Sequence, residues 1–478
     1  MLIFELSSKG RRGYRLPKLD VDRIDIKSYL GEYHREELNF PEVSELDVVR
    51  HYTRLSQLNY AIDTTMVPLG SCTMKYNPRI NEELANLDSF KNVHPTTPKE
   101  KAQGVLRLMY ELKELLKEIG GFKEVSLQPA AGAHGELLGL LMILAYHRDR
   151  GNTHKNKVLV PDTSHGTNPA TASLCGFEVI TIKSNERGEL DWDDFQRNLR
   201  EDVACLMITN PNTLGIFESK IREVAKALHE KDALLYMDGA NMNALVGLAR
   251  PGDWGVDVMH FNLHKTFSTP HGGGGPGGGA IGVSDKLEPY LPVPQVVFDG
   301  REYRLEWDRP KSVGKILAFY GHVGVMLRAF AYILSYGNEI KKVAQYAVLN
   351  ANYLRHLLKD LLLDLYEGVP CMHEFVLSAQ NLLRYDIKAV DLAKALLEKG
   401  FYAPTIYFPL TVKEALMIEP TETESPQSIE SFAMALKEII KLARENPEAI
   451  KNMPTKTPVR RIKEAEANRR LILRASWA

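Results

Sequence analysis

Between Val125 and Phe261 the chain switches repeatedly from short apolar runs to helical stretches, and this alternation narrows the fold more than any other feature. Strands are predicted at Val125 to Leu127, Lys157 to Pro161, Glu178 to Ile182, Ala204 to Ile208, Ala233 to Asp238 and Val256 to Phe261. Between them come an apolar helix running from AAGAHGE to His147, a helical segment opened by DTSHGTNPAT, a helix capped by Asp191 with Asp194 near its positive end, and a helix from about Ser219 to Glu230. Short apolar strands separated by helices predict an α/β fold whose sheet is largely parallel and covered on both faces. Such sheets hold ligands at the carboxyl ends of their strands. His134, His165, Asn210 and Asp238 all fall in or just after predicted strand ends, which is where a site is expected.

At 478 residues the chain is long enough for two domains. Residues 1–95 are rich in proline and polar turns, with short helical pieces such as 45–60, and read as an arm wrapped over something else. Residues 96–325 form the large domain, opened by a helix over 103–119 in which Leu106, Met109, Leu112, Leu116 and Ile119 share one face before Gly120 and Gly121 end it. Residues 326–478 read as a smaller α+β domain and tail. Its parts are a long helical stretch through Leu365, extended segments at Glu374 to Ala379, Thr405 to Phe408 and Ala415 to Ile418, and a helix capped by Ser425 with Pro426 at its first position. The basic end, RRIKEAEANRRLILR, reads as a solvated helix or a subunit contact.

A net charge of −1 argues at whole-chain level against nucleic acid or an anionic membrane as partner. No run approaches the roughly 20 apolar residues that cross a bilayer, and the N-terminal apolar run is too short for a signal peptide, so a cytoplasmic location is expected. Cys72, Cys175, Cys205 and Cys371 are widely spaced and read as reduced, with Cys72 in the loop-like PLGSCTMKYNP the one to watch.

The chemistry concentrates around VDVMHFNLHKTFSTPHGGGGPGGGAIGVS, where Lys265 follows a strand, sits beside His264 and precedes seven glycines between Gly272 and Gly279. A surface charge is the plain alternative for Lys265. It has to compete with a full set of partners for an aldehyde cofactor: a carboxylate for a pyridine nitrogen, donors for a phosphate, and the lysine itself for the Schiff base. Asp238 in LLYMDGAN can supply the carboxylate, and Ala240 is small enough to let the chain approach a ring face. Gly132, Ala133 and His134 before a helix can present backbone N–H groups to an anion. His165 can lie against the ring or donate to it, and Asn210 can donate to a phenolic oxygen.

Other motifs fail on context. Gly277, Gly279 and Gly282 spell a dinucleotide-binding pattern, but no β-α-β unit with an acidic residue can be laid over it, and SVGKI lacks the glycine and hydroxyl residue of a phosphate loop. His260, His264 and His271 have no carboxylate or cysteine cluster nearby in sequence, so no metal is expected.

The strings PLGSCTMKYNP, QPAAGAHGE, DTSHGTNPA, TNPNTLG, MDGANMNA and NLHKTFSTPHGGGGPG together closely resemble the P-protein, or glycine decarboxylase, family of the glycine cleavage system. The likeness is to the lysine-bearing second subunit of its two-chain form and to the C-terminal half of the single-chain form. It implies the aspartate-aminotransferase-like fold type I of pyridoxal-phosphate enzymes, with the cofactor covalently held at Lys265. It implies decarboxylation of glycine and transfer of the aminomethyl group to the lipoyl arm of a carrier protein. Lys265, His165 and Asp238 are then catalytic; Gly132, Ala133, His134, Asn210, Ala240 and His264 complete the cofactor site. The implied partner is a homologous first subunit, two copies of each chain assembling. Residues 68–78 and 319–322 are candidates for reaching a pocket shared with it. Transamination is the nearest rival, for which Arg355 or Arg384 would have to bind the substrate carboxylate.

Overall fold

The computed structural model describes residues 2–36, 38–272 and 277–473, so the middle of the glycine run lies outside the described residues. The chain divides into two compact units, residues 1–61 with 454–478 and residues 62–453. Residues 62–95, read from sequence with the arm, therefore count within the larger unit.

In the smaller unit the longest element is the helix Glu45–Gln57, which begins at a capping box. Ser44 accepts the Asp47 N–H at 3.1 Å and Asp47 accepts the Ser44 N–H at 3.1 Å. Elsewhere in this unit apolar side chains find little to bury against: Tyr14, Leu16, Tyr33 and Phe40 are all exposed.

The larger unit is organised by a seven-stranded sheet. Its strands are β1 (Glu124–Ser126), β2 (Lys157–Pro161), β3 (Glu178–Ile182), β4 (Val203–Thr209), β5 (Leu234–Gly239), β6 (Val258–Asn262) and β7 (Gly279–Val283), in the order β1-β7-β6-β5-β4-β2-β3. Only β7 runs against the rest. Six of the seven match the alternation read from sequence, to within a residue or two. The seventh, β7, has so many glycines that it carries no strand signal; two antiparallel neighbours supply its order.

The sheet has a core on each face, which is why its strands read as unbroken apolar runs. Along β5, Leu235 and Met237 enter one cluster with the helix Lys99–Gly120, while Leu234 and Tyr236 enter the other with the helix Gly132–Asp149. Each fully buried leucine or methionine contributes about 1.5–3 kcal/mol. The helix before β4 starts as expected, with Asp191 accepting the Asp194 N–H at 2.8 Å. A hairpin, β8 (Gln295–Phe298) with β9 (Tyr303–Glu306), was not anticipated. It packs on the helix Lys99–Gly120, whose buried Lys113 donates to the Val296 carbonyl at 2.9 Å.

Beyond residue 322 the expected long helix is broken. Val323–Tyr336 ends at Gly337, whose φ of 51° no helix tolerates, and Lys341–Leu357 follows after a 3-10 turn. The last eight residues of the predicted stretch, 358–365, are not helical. Met326, Leu327 and Ile333 pack into the core of the large sheet, whereas Ala351 and Leu354 pack into a second core around a small antiparallel sheet. That sheet has the order β10 (Phe375–Ser378), β12 (Ala415–Ile418), β11 (Thr405–Ile406). The helix Pro426–Glu445 covers it and is capped by Ser425, which accepts the Ser428 N–H at 3.2 Å.

Candidate active site

β5 and β6 are parallel neighbours, and their register places Asp238 opposite His260. The side chains meet: His260 Nε2 lies 3.1 Å from Asp238 Oδ1, and Tyr236, two residues back on the same face of β5, reaches His260 Nδ1 at 2.6 Å. All three are buried. The Ala240 N–H donates to Asp238 Oδ1 at 2.9 Å and Asn168 Nδ2 to Oδ2 at 3.2 Å. Burial works against ionisation here, yet the His260 imidazole, its hydrogen bond and the neighbouring groups hold the Asp238 carboxyl well below the usual carboxylate range. His260, which the sequence offered only as a metal candidate, is thus the partner that fixes Asp238. The signal available was positional: both residues stand near the ends of consecutive parallel strands.

His165 stands after β2 at the next strand ends. Its N–H donates to Thr209 Oγ1 at 3.1 Å, its Nδ1 lies 2.8 Å from Thr167 Oγ1, and Thr167 in turn donates to the buried Glu136 at 2.6 Å. Burial lowers the His165 pKa, so the ring is neutral near pH 7. Asn210, following β4, is fully buried; its Oδ1 accepts the Glu218 N–H at 3.0 Å, while Nδ2 has no partner among the described residues. An unpaired buried donor costs about 1–3 kcal/mol unless a ligand uses it.

Gly132 and Ala133 open the helix Gly132–Asp149 with no side-chain cap, leaving their N–H groups and that of His134 as the free donors of its first turn. A side chain at Gly132 would place its Cβ 2.3 Å from Asn262 Oδ1, so only glycine lets this turn lie so close to the end of β6. The His134 ring is turned back on its own loop, accepting the Ala130 N–H at 3.1 Å. The donor set, an ionised buried carboxylate, a spare amide N–H and an uncapped helix start, fits a phosphorylated pyridine.

Lys265 follows β6, and its Nζ donates to the Ser71 carbonyl at 2.8 Å. Segment 68–78, singled out from sequence, thus reaches the lysine. His264 Nδ1 lies 3.0 Å from the Gly278 carbonyl and its ring meets His271 edge-on at 5.0 Å; burial, with His271 and Lys265 nearby, lowers its pKa to about 4. His271 Nε2 in turn lies 2.8 Å from the Cys72 carbonyl. Residues 319–322 sit elsewhere, with Phe319 and His322 lining a cleft of about 660 Å³ beside Phe90, His94 and Arg328. Arg355 is spent on structure: it pairs with Asp364 at 2.7 and 2.9 Å and donates to the Val369 and Tyr366 carbonyls. Sequence reading missed Glu374 and Glu419, which come from two distant segments to meet Ser71 and Thr73 of that same segment beside Lys265.

The family model described as glycine cleavage system P-protein matches residues 25–297, and that described as glycine dehydrogenase, C-terminal domain, matches 343–463. The probable glycine dehydrogenase (decarboxylating) subunit 2 of Aquifex aeolicus (strain VF5) is 69% identical over 474 residues, 99% of this chain and 98% of that protein. Its counterpart in Alkaliphilus oremlandii (strain OhILAs) is 52% identical over 475 residues, again 99% and 98%. A crystal structure of glycine decarboxylase (P-protein) of the glycine cleavage system, in inhibitor-bound form, has the same fold: TM-score 0.72 at 21% identity, covering 86% of this chain and 94% of that one.

Proposed function

The chain belongs to the P-protein family of the glycine cleavage system, and on that basis we propose that Lys265 covalently holds its cofactor and that the chain is the lysine-bearing half of a two-chain glycine dehydrogenase. It is a pyridoxal-phosphate-dependent enzyme of fold type I, and its reaction is of the glycine-decarboxylating class. The observation that carries the reading is the pairing of Asp238 with His260 on the strand that delivers Lys265.

When bound, pyridoxal phosphate supplies an electron sink for the bond that releases CO2. The residues divide the remaining work. Asp238, kept ionised by His260, would hold a proton on the pyridine nitrogen. Gly132, Ala133 and His134 would give backbone N–H groups to the phosphate, and Asn210 Nδ2 would donate to the phenolic oxygen. His165, neutral near pH 7, and the small Ala240 would pack against the ring. His264 pins the glycine-rich segment at Gly278. Lys265 would attach the cofactor, give way to glycine and carry protons. The aminomethyl group left after loss of CO2 would pass to one sulfur of the lipoyl disulfide on a carrier protein, the S–S bond breaking and the second sulfur leaving as a thiol.

A homologous first subunit completes the assembly, two copies of each chain; the exposed Tyr14, Leu16, Tyr33 and Phe40 are what such a partner would cover. Arg355 is engaged within the chain, which removes one of the two arginines that the transaminase alternative could use. No helix among the described residues is long and apolar enough to cross a membrane, and a cytoplasmic location completes the proposal.

Borohydride reduction of the yellow protein followed by peptide mapping tests the attachment: the pyridoxyl group is expected on Lys265, and a label on any other residue refutes it. Exchange of label between bicarbonate and the glycine carboxylate tests the reaction. It is expected to need both the first subunit and a lipoylated carrier; brisk turnover of larger amino acids by the chain alone would overturn the assignment.

A further inference from the structure

Lys265 is held in place by a loop that is itself unusually constrained. Ser71 and Thr73 both carry side chains yet lie in the left-handed region, with φ of 65° and 49°. Two glutamates hold them there. Glu374 Oε2 accepts the Ser71 N–H at 2.7 Å; Glu419 accepts the Thr73 N–H at 2.8 Å and its hydroxyl at 2.6 Å. The loop's Ser71 carbonyl faces the other way, onto Lys265 Nζ.

The two glutamates are cross-strand neighbours. Phe375 pairs with Ile418 in the antiparallel register of β10 and β12, so Glu374 and Glu419 stand at the next position, opposite one another and fully buried. Two like charges cannot both persist there. Burial raises both carboxyls, Glu419 to about 7 and Glu374 well above its ordinary value, the charge of Glu419 adding to the effect on Glu374. The pair therefore holds a proton to higher pH than a lone carboxyl does, and carries at most one negative charge.

The neighbouring groups leave that charge without another unpaired cation. Lys75, near enough to feel Glu419, is already bridged to Glu422 at 2.6 Å. His373 lies 3.9 Å from each of the two carboxylates, wholly buried, both ring nitrogens without a partner among the described residues, and burial holds its pKa at about 3. Burial likewise keeps His165, His264 and His271 neutral, and keeps Cys72 a thiol. Among the described residues near the pair, Lys265 is the cation with no carboxylate partner of its own.

We infer that the Ser71 carbonyl is the dock of the Lys265 ammonium whenever that amine is not bonded to the cofactor, and that Glu374 and Glu419, sharing one proton behind the dock, are its counter-charge. The inference rests on Lys265 being the attachment residue. Its consequence is that the amine displaced by substrate is parked at the Ser71 carbonyl beside its counter-charge, away from the carbon it has left, until the substrate has reacted. Glu374 and Glu419 are positioning residues, acting through the loop and the lysine.

The test uses the full-length, cofactor-free chain, so that its failure is separate from that of the attachment assignment. Labelling of Lys265 by trinitrobenzenesulfonate is followed by peptide mass at pH 8. Glu374→Gln or Glu419→Gln alone leaves the other carboxyl to ionise, and labelling is expected to stay within about twofold of the parent. The double variant has no counter-charge and is expected to label about tenfold faster, the effect of removing one nearby opposite charge. An unchanged rate in the double variant, or the full increase in either single one, overturns the inference. A measurement on the unaltered chain stands apart from variant folding: infrared spectra with 13C-glutamate are expected to show a buried protonated carboxyl at pH 8, and its absence also overturns the inference.

Discussion

At the scale of single residues, Asp238 owes its ionised state to His260. Asp238→Asn keeps the shape and the Ala240 contact but loses the charge, and the expected outcome is a protein that still takes up the cofactor, seen by visible absorbance, while bicarbonate–glycine exchange falls roughly 100-fold or more. Unchanged exchange would remove Asp238 from the chemistry. His373 carries a different consequence. Its pKa is lowered from an ordinary value to about 3 by burial, so between about 6.5 and 3 the unfolded chain binds a proton that the folded chain does not. Stability therefore falls as pH drops through that window, by about 2 kcal/mol at pH 5 from this residue. His373→Phe removes the titration and the unpaired ring nitrogens; denaturant melts at pH 8 and pH 5 are expected to show a smaller acid loss than in the parent. The sequence made Lys265, Asp238, His165 and Asn210 legible because each follows a recognisable strand. Glu374 and Glu419 were not, since nothing local distinguishes a buried glutamate at a strand end from an exposed one.

At the scale of elements, the sites that matter are ends. The uncapped start of the helix Gly132–Asp149 owes its approach to β6 to a missing Cβ. Gly132→Ala is expected to lower cofactor affinity by tenfold or more, read by absorbance titration of the cofactor-free protein, with little change in its thermal melt. An unchanged affinity would place the phosphate elsewhere. Most of the strands and the caps at Asp191 and Ser425 were readable, because hydrophobic period and capping chemistry are local. β7 and the β8–β9 hairpin were not: a glycine-rich strand is defined by what its neighbours donate to it, and a short hairpin by the helix it packs on.

At the scale of the whole molecule, the N-terminal unit exposes Tyr14, Leu16, Tyr33 and Phe40, which a solvated surface does not favour. Leu16→Asp with Tyr33→Asp is expected to abolish co-purification with the first subunit while leaving the melt of this chain unchanged, measured by size exclusion with light scattering; a complex that survives would place the interface elsewhere. What the sequence by itself determined was the alternating α/β order; it also singled out the candidate lysine and the strand ends where its candidate partners stand. All of these are written in local period and motif. What only the tertiary structure decided was which buried groups face one another: His260 against Asp238 through parallel register, and Glu374 against Glu419 behind the loop that holds Lys265. Register and loop docking are set by packing between distant segments, and no local pattern encodes the charge balance that results.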